Sequence, residues 1–228
     1  MIALRDLSIG FGTRIVIQHI NLLLPSPCFM AVIGDNGTGK TTLMKTMAGL
    51  AKPLTGDIHW QSRNFNAMSA ASRAEILSVV LTERQVPGQL TVRELIQLGA
   101  PRYIQLWQGL TEEDQNQVIL IAKQLHLTAL LDQPVMSISD GERQKAFIGR
   151  ALMQNTPVIL LDEPTAFLDV TNKRLIFALL RKMADSGKTI ICATHDWYDV
   201  KQYATHFMQV NAQGVALVAP DAIDYLRS

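Results

Sequence analysis

Apolar positions in the first third of the chain fall into short blocks without a helical repeat. Residues 2–9, 15–24 and 29–33 read as strands, the second and third joined across Pro25-Ser26-Pro27. The third block is an unbroken apolar run that stops at Gly34, in a glycine-rich loop. Beyond it Leu43, Met47 and Leu50 recur at helical spacing, which predicts a helix over 40–50. Residues 52–57 carry Pro53 and Gly56 and predict a turn. From about residue 86 to 136 the pattern changes. Gln and Leu dominate, with helical spacing over 91–98 and 112–125, and Thr111 with Asp114 has the spacing of a helix N-terminus. From residue 158 onward, strands (158–161, 189–193, 207–210) alternate with a helix over 173–184. Such alternation predicts an α/β fold with a mostly parallel sheet covered on both faces, here preceded by N-terminal β-strands and interrupted by a helical insertion.

With 228 residues, 48% hydrophobic and 18% charged, the chain suits one α/β domain with a sizeable core. A net charge of +1 and the lack of any long basic run argue against a nucleic-acid partner. Cys28 and Cys192 belong to no CxxC or Cys/His cluster, so neither a disulfide framework nor a structural zinc site is expected. The first residues lack the basic-then-apolar layout of a signal peptide. Residues 15–34 carry no Asp, Glu, Lys or Arg, a length able to cross a bilayer. Gln18, His19, Asn21 and the two prolines interrupt the stretch, so two buried strands about a turn are expected. The chain is expected to be soluble, with any membrane role exercised through a partner.

Gly34-Asp35-Asn36-Gly37-Thr38-Gly39-Lys40-Thr41 matches the phosphate-loop pattern GxxxxGK[ST] and lies between an apolar strand and a helix. Its glycines let backbone N–H groups turn inward toward phosphate oxygens, and the helix dipole adds to the attraction. Lys40 is then expected to reach the β- and γ-phosphates, Thr42 the α-phosphate, and the Thr41 hydroxyl a Mg²⁺ ion. At a second strand end, Asp162 and Glu163 follow residues 158–161. There Asp162 suits Mg²⁺, usually through water, and Glu163 suits the water that attacks the γ-phosphate. A plain glycine turn or two solvated acids would explain either motif alone. Both together, in this order, indicate a P-loop NTPase that takes ATP and Mg²⁺.

Further residues narrow this class. Ile138-Ser139-Asp140-Gly141-Glu142-Arg143-Gln144 precedes Asp162-Glu163-Pro164-Thr165-Ala166-Phe167-Leu168-Asp169; His195 follows the strand at 189–193, and Phe11 precedes Gly12. In order and spacing the chain resembles the ATP-binding subunits of ABC transporters over essentially its whole length. That resemblance implies one ABC ATPase domain over 1–228, with a helical subdomain inserted at about 86–154. It also implies two copies meeting head to tail, so that Ser139 and Gly141 of one copy face the γ-phosphate of ATP held by the other. His195 would contact the γ-phosphate and Phe11 would stack on adenine. The partners implied are a membrane permease and, indirectly, a substrate-binding protein, with the chain cytoplasmic and peripheral on the inner membrane face.

Within the family the chain resembles importer ATPases for iron–siderophore, haem or cobalamin-type chelates. The features that carry this are Pro87-Gly88-x-Leu90-Thr91-Val92, the run from Ser139 to Gln144 and the short C-terminus. A non-transport ABC ATPase, such as that of iron–sulfur assembly, and a regulatory nucleotide-binding subunit are the alternatives. Ser139 with Glu142 also has the spacing of a helix capping box. Two departures from the family pattern stand out. Asp140 and Glu142 replace a glycine and a glutamine of the signature, and Asp140 repels phosphate unless it points away. Thr82 occupies the position of the Q-loop glutamine, with Glu83 or Gln85 able to serve in its stead.

Overall fold

The computed structural model describes residues 1–82, 89–101, 110–211 and 213–221. Strands β1 (Ile2–Phe11) and β2 (Arg14–Leu24) pair antiparallel and close through Gly12 and Thr13, with Phe11 opposite Arg14. They run beyond the apolar blocks at 2–9 and 15–24 because backbone pairing continues through Gly10 and the polar Arg14 up to the turn. Strands β4 (Thr55–Trp60) and β5 (Arg63–Asn64) complete this first sheet in the order β2-β1-β4-β5.

The second sheet holds β3 (Cys28–Ile33), β6 (Leu77–Val80), β7 (Val158–Asp162), β8 (Thr189–Ala193), β9 (His206–Asn211) and β10 (Gly214–Val218). Its order is β10-β9-β3-β8-β7-β6, parallel throughout except for the antiparallel edge pair β9–β10. Every residue of β3, β7 and β8 is buried, as central strands of a parallel sheet covered on both faces must be.

Alternate residues of these strands feed two cores. Phe29, Ala31, Ile33, Ile159 and Leu161 pack with helices α3 (Val92–Gln97), α4 (Glu112–Gln124), α5 (Asp140–Met153) and α6 (Val170–Asp185). Met30, Val32, Val158 and Leu160 turn the other way, onto α1 (Lys40–Met47) and the first sheet. Short helices α2 (Ala70–Ala74) and α7 (Trp197–Lys201) lie at the ends of connections. Helix α1 stops short of residue 50 because Gly49 takes a φ of 70°, leaving Leu50 exposed.

The charge-free stretch at 15–34 is β2, a turn and β3. Among the described residues no helix is long and apolar enough to cross a membrane. Both cysteines are buried free thiols; burial pushes Cys28 up to about 11 and Cys192 well above the ordinary thiol range.

Candidate nucleotide site

The glycine-rich loop runs from the end of β3 to the start of α1, and its glycines are dictated by space. A Cβ on Gly34 would lie 2.0 Å from the Val210 carbonyl of β9. Gly39, the residue capping α1, holds a φ of 104°, and a Cβ there would lie 2.7 Å from Val16. Thr38 braces the loop by donating its hydroxyl to the Asp35 carbonyl at 2.9 Å. Lys40 is buried, and its ammonium folds back to donate to the carbonyls of Gly34 (2.7 Å) and Asp35 (2.8 Å). Burial lowers the Lys40 pKa, opposed by the carboxylates of Glu163, Asp162 and Asp35.

A cleft of about 530 Å³ opens over this loop. It brings together Phe11 from the β1–β2 turn, Asn36, Gly37 and Gly39 of the loop, Lys40, Thr41 and Thr42 of α1, and Asp162 with Glu163 from the end of β7. Thr82, just past the end of β6, also lines it. So does Arg14, the first residue of β2, which belongs to no motif in the sequence. Glu83 and Gln85 lie outside the described residues.

Asp162 is 1% exposed. Its Oδ2 accepts from the Thr82 hydroxyl at 3.1 Å, while its buried Oδ1 has no hydrogen-bond partner among the described residues. Glu163 takes a φ of 51° and is anchored by its N–H, which donates to the Ala193 carbonyl of β8 at 2.8 Å. Its Oε2 lies 2.7 Å from His195 Nδ1, so the fold brings together two residues that the sequence singles out separately. Burial raises the Glu163 pKa, while the His195 contact pulls it the other way.

The next residue, Asp196, carries a contact set that sequence reasoning missed. Its carboxylate accepts from Lys173 Nζ of α6 and from the Thr165 hydroxyl, each at 2.6 Å, tying the His195 segment to the turn after Glu163. Burial alone would raise the Asp196 pKa, but these hydrogen bonds and the Lys173 charge hold it below the ordinary value. A depressed carboxyl stabilises the fold above its unfolded pKa of about 3.9, and this is lost as pH falls through the folded value. Lys173→Met is therefore expected to cost about 1–3 kcal/mol at neutral pH. Thermal melts of both proteins should converge in acid, and an equal gap at every pH would show that the pair contributes nothing.

Ser139 and Gly141 lie in a different cleft, also about 530 Å³, with Lys145, Phe167, Asp169 and Asn172 among its walls. Among the described residues none lines both clefts. Ser139 caps α5 with Glu142 in a reciprocal capping box: the Glu142 N–H donates to Ser139 Oγ, and Ser139 N–H donates to Glu142 Oε2. Asp140 is engaged by Arg143 one turn along. Gly141 has no room for a side chain, since a Cβ would lie 2.9 Å from the Phe167 carbonyl.

Comparison with known proteins identifies the family. Residues 17–166 match the family described as ABC transporter. An uncharacterized ABC transporter ATP-binding protein of Methanocaldococcus jannaschii is 39% identical over 197 residues, covering 86% of this chain and 68% of its own. The achromobactin transport ATP-binding protein of Dickeya dadantii is 35% identical over 221 residues, covering 96% and 82%. Among solved structures, an inward-facing ABC transporter assigned to the metal-chelate type superposes with a TM-score of 0.81 at 25% identity, covering 97% of this chain and 84% of that one. With residues 17–166 matched by the family model and relatives at 39% and 35% identity over most of its length, the chain belongs to the ABC transporter family, as an ATP-binding subunit.

Proposed function

We propose that the chain hydrolyses ATP to drive import of an iron–siderophore, haem or cobalamin-type chelate through a membrane permease, working as two head-to-tail copies on the cytoplasmic face. The separation of the two clefts is the observation that carries the paired arrangement. Lys40 and Glu163 line one, Ser139 and Gly141 the other, so a single chain cannot bring the signature to its own nucleotide. The chelate assignment draws on the achromobactin transport relative and the metal-chelate type structure. Residues 1–228 form one cassette, with the helices at about 86–154 as its insertion.

Phe11 stacks on adenine, the N–H groups from Gly34 to Gly39 and the Lys40 ammonium hold the β- and γ-phosphates, and Thr42 meets the α-phosphate. The donor set suits Mg²⁺, a hard cation that takes oxygen ligands: the unpartnered Asp162 Oδ1 and the Thr41 hydroxyl border the same cleft. When bound, Mg²⁺ neutralises charge on the phosphates. Glu163 accepts the proton of the attacking water, His195 orients that carboxylate and contacts the γ-phosphate, and Ser139 and Gly141 of a second copy close over it.

Ser139→Arg provides the test. The isolated variant is expected to bind ATP as wild type does, because Ser139 is absent from the Lys40 cleft, yet to lose turnover with the permease. Cells carrying it should also lose uptake of radioactive iron supplied as siderophore. Turnover at the wild-type rate would remove the head-to-tail arrangement. If turnover is lost but iron uptake persists, the iron–siderophore assignment falls and the haem and cobalamin-type chelates remain.

A further inference from the structure

We propose that Thr82 is the positioning residue for Asp162, holding one carboxylate oxygen so that the other is left to the cation that accompanies ATP. This rests on the reading of Asp162 as a Mg²⁺-holding group.

Strand β6 pairs parallel with β7, ending at Val80 opposite Leu161. Thr82 lies just past that pairing and so comes beside the end of β7, where Asp162 stands. Its hydroxyl sits 3.1 Å from Asp162 Oδ2 and 3.2 Å from the Asp162 carbonyl. A hydroxyl has one hydrogen to donate. Of the two acceptors the carboxylate oxygen is both nearer and charged, and it is the one that the single hydrogen serves.

Asp162 has little else to hold it. Among the described residues no salt bridge reaches its carboxylate, and the nearby Lys40 ammonium is directed at the Gly34 and Asp35 carbonyls. The carboxylate is buried, with Oδ1 unpartnered, a costly arrangement unless something positive arrives. Engaging Oδ2 stops the carboxylate from rotating and leaves Oδ1 as the free ligand. Thr82 itself is exposed at the cleft, so it contributes little to the core and its hydroxyl is the part that matters. Being β-branched, its side chain has few rotamers, which suits a positioning role.

Thr82→Val keeps the shape and removes the hydroxyl; Thr82→Ser keeps the hydroxyl. Binding of a fluorescent ATP analogue is titrated with MgCl₂, and separately measured in EDTA, with melting temperatures as a check on folding. Thr82→Val is expected to need roughly 10-fold more Mg²⁺ for half-maximal binding, the scale seen when a partner of a metal ligand is removed. Its affinity in EDTA should equal that of wild type, and Thr82→Ser should restore the wild-type Mg²⁺ requirement. An unchanged Mg²⁺ requirement in Thr82→Val overturns the proposal, as does an equal loss of affinity with and without Mg²⁺, which would mean that Thr82 meets the nucleotide directly. If wild type itself binds with no Mg²⁺ dependence, the cation reading of Asp162 fails first and the role of Thr82 falls with it.

Discussion

Glu163→Gln is expected to lower ATP turnover by roughly 10²–10⁴-fold, the usual weight of a general base, while ATP still binds and a nucleotide-filled dimer accumulates. The amide keeps the size of the carboxylate but cannot take a proton from water. Its surroundings stay in place, because the left-handed backbone at Glu163 is fixed by the N–H bond to Ala193 rather than by the side chain. The pH profile gives an independent readout. Burial raises the Glu163 carboxyl, and only its ionised form can act as base. Turnover of wild type should therefore fall with decreasing pH along a limb lying above the ordinary glutamate value of about 4.3. The stability consequence has the opposite slope. A carboxyl whose folded pKa is raised favours the fold below its unfolded pKa, and that contribution is lost as pH rises through the folded value. At neutral pH the variant thus escapes the cost of a buried charge, and its melting temperature is not expected to suffer from that change. Phosphate release across pH and sedimentation with ATP are the measurements. Turnover at the wild-type rate in Glu163→Gln would reassign the base to another group.

What could be read before folding was local. The phosphate loop is legible because its chemistry needs glycines and a lysine at fixed offsets along one stretch of chain. The capping boxes at Thr111 and Ser139 are legible for the same reason, since both partners lie within one helical turn. The ion pair that engages Asp140 also lies within a turn, at Arg143, where helical spacing could have exposed it. Contacts between distant segments were not legible. Thr82 meets Asp162 across 80 residues and Thr165 meets Asp196 across 31, because the parallel pairing of β6 with β7 and of β7 with β8 puts strand ends side by side. No hydropathy pattern encodes which strands are neighbours. Strands β1 and β2 extend past their apolar blocks because pairing outlasts hydrophobicity, and Arg14 in that extension lines the cleft although no motif contains it.

Lys40→Ala is expected to abolish ATP binding at ordinary nucleotide concentrations. The Lys40 ammonium donates to two loop carbonyls and sits within the field of Glu163, Asp162 and Asp35. A triphosphate offers it charged acceptors in their place, and hydrogen bonds to charged groups contribute about 1.5–3 kcal/mol each. Losing two of them weakens binding by about 10²–10⁴-fold. The remaining electrostatics turn against the ligand as well. Helix α1 has no acidic residue in its first turn and no side-chain cap, so its N–H groups remain available to phosphate, but the three carboxylates are then unopposed by any lysine in the loop. Lys40→Arg is not expected to rescue, because a planar guanidinium cannot occupy the buried position of an ammonium wrapped by backbone. Calorimetric titration with ATP, alongside circular dichroism to establish folding, measures the effect. A folded Lys40→Ala protein that binds ATP within a few-fold of wild type would mean that the glycine loop is a structural turn and the nucleotide lies elsewhere.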